Sequence, residues 1–155
     1  MGKMSVNVVE LVKKGGIFTN VDASSPEEVY KIVSEKMQLP EGVSSETVCE
    51  ALCARERIMS TAVGNSIALP HARTPVIKDE VDQRICIVYL NKAIDMHAPD
   101  GIPVKTMFVI LTQNSQTHLQ VLSKLVGLFQ KAQFKKLLDE RVSEAELLKA
   151  IEEMA

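Results

Sequence analysis

His71, His118 and Arg55 are the side chains whose types and placement could do chemistry together. A neutral imidazole nitrogen is a nucleophile toward phosphorus and also a fair leaving group, so a phosphoryl group taken up on histidine can be passed on. Such a transfer needs little covalent machinery; positioning and charge neutralisation supply most of the rate. Arginine offers a planar fork that matches phosphoryl oxygens. The first turn of a helix, with its free N–H groups and positive dipole end, favours an anion. Each residue also has a plainer reading. A lone histidine on an apolar helix face is commonly a core residue with its hydrogen bonds satisfied, and an arginine there can lay its stem on the core and carry its charge to water. A metal site drawn from His71, His97, His118 or a cysteine is a third possibility, but their spacing matches no recognised ligand pattern. There is no Walker motif and no glycine-rich phosphate loop, which argues against a direct nucleotide substrate.

The elements around these residues follow from periodicity. Ile67, Leu69 and His71 alternate with Ala68 and Pro70, so the two apolar side chains and the histidine share one face of a short strand. Gly64-Asn65 reads as the turn before it. Pro70 lacks a backbone donor, so the strand ends there or lies at an edge, which makes His71 its last residue. Ser45 is expected to cap a helix reaching about Ile58, on which Val48, Leu52, Arg55 and Met59 form one stripe and Arg57 faces water on the other side. Ser115 is expected to cap a helix over 116–130, with His118, Leu122, Leu125 and Phe129 on one stripe. His97 lies in a turn-rich excursion, 93–103, expected to be a hairpin or paired short strands and dispensable to the chemistry.

The rest of the chain reads as an apolar-periodic helical turn or two over 6–14, strands at 17–21, 84–90 and 104–111, and helices over 26–37 and 132–140. A C-terminal helix opens at the Ser143/Glu146 capping box. Ser25, Pro26 and Glu28 make a strong helix start. Strands alternate with helices, so the class is α/β. At 155 residues a single domain is expected. A formal net charge of -2 and the lack of a basic stripe argue against nucleic acid. No apolar run approaches a bilayer span and no signal-peptide core is present, so a cytoplasmic location is expected without membrane insertion. Cys49, Cys53 and Cys86 show no disulfide framework and read as small apolar fillers in a reduced compartment, although Cys49 and Cys53, four apart on a helix, could share a metal.

The segments Arg55-Glu56, Ser60-Thr61, Gly64-Asn65 and Ile67-Ala68-Leu69-Pro70-His71 closely resemble the phosphorylation-site region of the enzyme IIA domains of the bacterial phosphoenolpyruvate-dependent phosphotransferase system. The similar class is the fructose/mannitol one, including its nitrogen-regulatory relatives. The resemblance continues in Ala93-Ile94-Asp95, Asp100-Gly101-Ile102-Pro103-Val104 and His118-Leu119-Gln120, so it covers most of the chain. Ala72 stands where the family usually has glycine, and an altered backbone approach is expected there. The resemblance implies one IIA domain over 1–155, with a mixed, roughly five-stranded sheet between helices. It implies that His71 accepts a phosphoryl group on Nε2 from the phosphocarrier HPr, with His118 as stabiliser, Arg55 as clamp and no cofactor. The group then passes to a IIB sugar-transport component; alternatively the protein is a nitrogen-type regulator whose phosphorylation state controls binding to partners. Nε2 chemistry requires Nδ1–H to be engaged elsewhere.

Overall fold

The computed structural model describes residues 6–155. In chain order the elements are α1 (Val8–Gly15), β1 (Ile17–Val21), α2 (Pro26–Lys36), α3 (Ser45–Ile58), β2 (Ala62–Gly64), β3 (Ile67–Ala68), β4 (Arg84–Ile94), β5 (Val104–Leu111), α4 (Ser115–Phe129), α5 (Ala132–Asp139) and α6 (Glu144–Met154). The strands form one mixed five-stranded sheet in the order β1-β4-β5-β3-β2. β1 runs parallel to β4 and β3 parallel to β5, while the β4/β5 and β2/β3 pairs are antiparallel.

Strand alternation divides the core into two layers. Cys86, Val88 and Leu90 of β4, with Met107, Val109 and Leu111 of β5, meet Val29, Tyr30 and Val33 of α2 and Val48 and Leu52 of α3. Ile85, Ile87 and Tyr89, with Phe108 and Ile110, face the opposite way onto α1, α4, α5 and α6. The central strand is thus buried on both faces, as its continuous apolar run requires. Cys53 and Cys86 are buried in the first layer, and burial pushes the Cys53 thiol up to about 11.

Several local expectations shift by a residue. Ser44 caps α3 in place of Ser45, because Ser44 takes the extended backbone and its side chain accepts from Thr47 N–H at 3.1 Å. Asn114 likewise caps α4 in place of Ser115, accepting from Thr117 N–H at 2.8 Å. The turn before β3 is Asn65–Ser66, both at positive φ (56° and 65°), and Gly64 closes a strand, β2, that the pattern did not reveal. β4 continues to Ile94, which pairs with Val104, so 95–103 is the connection of one long hairpin and holds no short strands of its own. Met59 leaves the α3 stripe: the helix stops at Ile58 and Met59 is 68% exposed at its cap.

Candidate phosphoryl-transfer site

The alternation of β3 carries through to the histidine. Ile67 and Leu69 pack on the α4 side of the sheet and Ala68 on the other. Regular pairing stops at Ala68, yet the chain stays alongside β5: Pro70 accepts a hydrogen bond from Ile110 N–H at 2.8 Å, and His71 bridges Ile110. The proline has no N–H to donate, but its carbonyl still ties the chain to the sheet. His71 thus reaches the carboxyl ends of β3 and β5, facing the first turn of α4, and its ring centroid lies 4.8 Å from that of His118.

His71 and His118 line a cavity of about 280 Å³ together with Arg55, Arg73, Thr112 and Asn114, among others. α3 belongs to the other layer, but its last turn brings Arg55 to this cavity, where Nη1 donates to the Met59 carbonyl at 2.6 Å. That bond closes the helix end and uses one of five guanidinium donors. Arg57, two residues on, is exposed, as the helix period requires. His97 lies on the 95–103 connection, is exposed at φ 57°, and does not line the cavity. Ala72, which also lines the cavity, is not among the residues with positive φ.

The His71 ring is fixed by a bond that the sequence pattern did not show. Nδ1 lies 2.8 Å from the Leu69 carbonyl oxygen. A carbonyl only accepts, so Nδ1 carries the hydrogen and, in the neutral ring, Nε2 keeps its lone pair. Burial holds the His71 pKa below its ordinary value, with the nearby Arg55 charge acting in the same direction; the Leu69 bond opposes both. His118 is lowered as well, first by burial and then by His71. Its Nδ1 lies 3.2 Å from the Thr112 hydroxyl. Two neutral imidazoles beside a guanidinium form a site with room for an anion and a free nucleophilic nitrogen. Pattern reading also passed over Arg73 and Thr112; a cation two residues beyond the histidine, and a hydroxyl at the end of the β5 run, were the available signals. Among the described residues, no group of three His, Cys, Asp or Glu could hold a metal.

The profile of the family described as "Phosphoenolpyruvate-dependent sugar phosphotransferase system, EIIA 2" matches residues 10–154, and the chain belongs to that family. The "Nitrogen regulatory protein" of Pseudomonas aeruginosa is 29% identical over 131 residues, covering 82% of each chain. The "PTS system fructose-specific EIIABC component" of Bacillus subtilis is 28% identical over 149 residues, covering 94% of this chain and 23% of that larger protein. Among solved structures, nitrogen regulatory protein IIA-Ntr from Neisseria meningitidis superposes with a TM-score of 0.82 at 26% identity, covering 93% of this chain and 98% of the other.

Proposed function

We propose that the chain works as one IIA unit, a cytoplasmic phosphohistidine carrier with His71 as acceptor. The observation that carries this reading is the Nδ1–H bond to the Leu69 carbonyl, which leaves Nε2 as the nucleophile beside His118 and Arg55. In the forward step the Nε2 lone pair attacks phosphorus of the phospho-donor, an HPr-type phosphocarrier. The new N–P bond forms as the donor's P–N bond breaks, and that electron pair returns to the donor nitrogen. The His71 ring becomes formally cationic, and the Leu69 carbonyl stabilises the charge through Nδ1–H. Loss of that proton would set a nitrogen lone pair against a carbonyl oxygen, so the proton stays and the ring remains a good leaving group for the next acceptor. Arg55 supplies positive charge and a second fork arm to the phosphoryl oxygens, and His118 a hydrogen bond. No cofactor takes part.

The next acceptor is a IIB sugar-transport component. A second reading, regulation, is favoured by the near full-length match to nitrogen regulatory proteins in sequence and structure. In that case the added charge of about -1.5 to -2 switches a docking surface. The test is incubation with phosphoenolpyruvate, enzyme I and HPr, then mapping of the acid-labile phosphate. Label on His71 and none in His71→Ala supports the reading; label on His118 or His97 overturns it. Discharge of the phosphoprotein to a fructose- or mannitol-class IIB domain supports transport, whereas a partner retained only in one phosphorylation state supports regulation.

A further inference from the structure

We propose that Glu56 is a positioning residue for His71, acting through Thr61 and Leu69. Glu56 sits in the last turn of α3, beside Arg55, and is half-buried. Its carboxylate accepts three hydrogen bonds: from Thr61 N–H at 2.9 Å, from the Thr61 hydroxyl at 2.7 Å and from the Tyr30 hydroxyl at 2.5 Å. Thr61 is buried, and Tyr30 is fully buried in the layer beneath α2 and α3. The path then continues toward the ring. The Thr61 carbonyl accepts from Leu69 N–H at 2.9 Å, and the Leu69 carbonyl accepts from His71 Nδ1–H at 2.8 Å.

At Thr61 and at Leu69 the path enters by one peptide group and leaves by the next, crossing a saturated Cα. Polarisation does not travel well across such a centre, so the path transmits position rather than charge. Its geometry has a clear function. Met59, Ser60 and Thr61 link the end of α3 to β2, and the carboxylate clasps this link against α3 and Tyr30. The carbonyl that orients His71 is thereby held in register with the helix turn that carries Arg55. A single acidic side chain sets the relative placement of nucleophile and cation.

This inference rests on His71 being the acceptor, but its principal readout does not. Two variants separate reach from charge. Glu56→Gln keeps the reach: its amide oxygen can face Thr61 N–H while its NH2 group donates to the two hydroxyls, which can rotate to accept. Glu56→Asp keeps the charge but withdraws both oxygens by one methylene. The nitrogen-15 shifts of the His71 ring report its tautomer. Glu56→Gln should keep the Nδ1–H form and a near wild-type rate of phosphoryl acceptance. Glu56→Asp should lose population of that form and slow acceptance by up to roughly a hundredfold, the scale expected for a reacting group displaced by about 1 Å. Should Glu56→Asp not fold, Tyr30→Phe, which removes one of the three donors, should move the same ring signals by less. An unchanged tautomer in Glu56→Asp, or in Tyr30→Phe as fallback, overturns the proposal, and so does greater damage from Gln than from Asp, which would point to charge rather than reach. Phosphate uptake by His71→Ala would instead sink the carrier reading and leave the tautomer result standing.

Discussion

Two connecting segments of this protein carry a histidine, and they differ in almost every physical respect. At 70–73, after β3, His71 is half-buried, bonded through Nδ1 to the Leu69 carbonyl and set at a tilt beside a second imidazole. At 95–103, between β4 and β5, His97 is exposed at positive φ, and its backbone N–H is taken by Asp95 at 3.0 Å. That second segment has work of a different kind. Asp100 accepts from Asn65 N–H at 2.8 Å and from Ile102 N–H at 3.1 Å, bracing the β2–β3 turn that leads to His71. Gly64 belongs to the same brace, since a Cβ there would stand 3.1 Å from the Asp100 carboxylate. One connection presents an imidazole whose Nε2 keeps its lone pair, and the other braces the turn that leads to it. An imidazole is made reactive by what fixes its tautomer and limits its water, not by lying in a loop.

The sharpest break in this comparison is substitution of the two histidines. His71→Ala should abolish phosphoryl acceptance, while His97→Ala should transfer at the wild-type rate; a comparable loss in both would erase the distinction. Next comes the arginine pair on α3. Losing one charge-assisted contact in the transition state costs on the order of 1.5–3 kcal/mol, or roughly ten- to a hundredfold in rate. Arg55→Lys should show that loss in stopped-flow transfer from phospho-HPr, with folding checked by circular dichroism, and exposed Arg57→Lys should show almost none. His118→Ala should still accept phosphate but transfer it more slowly in at least one direction; wild-type rates both ways would return it to a core role satisfied by Thr112.

The smallest effect is on pH. Both His71 and His118 are held below the ordinary histidine value of about 6.5. Between that value and the lower folded one, the unfolded chain binds the extra protons. Stability should therefore be full above about pH 6.5 and decline as pH falls toward the folded values. Denaturant titrations across this range should show the decline, and His71→Ala should flatten part of it. Phosphoryl acceptance should fall with the protonation of Nε2, at a pH below about 6.5.

Much of this molecule was legible in the chain because the signals are local. The strands at 17–21 and 104–111 have the bounds that their apolar runs indicate, and the Ser25 and Ser143 caps open α2 and α6 as read. Alternation along Ile67, Leu69 and His71 correctly put the histidine on the face of the two apolar residues. Where neighbouring residues had equal local claims the reading slipped by one, as at Ser44/Ser45 and Asn114/Ser115, since both members of each pair are good caps and the direction of the incoming chain chooses between them. The far end of β4 was hidden because Asn91, Lys92 and Ala93 are exposed and lack apolar alternation; pairing of Ile94 with Val104 defines the strand's extent. The mixed sheet was expected only from family resemblance, because strand order is a matter of long-range pairing that no local period encodes. The same holds for the site. Residue types nominated His71, His118 and Arg55, but the Leu69 carbonyl on Nδ1, the carboxylate of Glu56 on Thr61 and the Asp100 brace exist only once distant segments meet. Periodicity specifies which face a side chain is on; hydrogen bonds across the fold decide which nitrogen carries the proton.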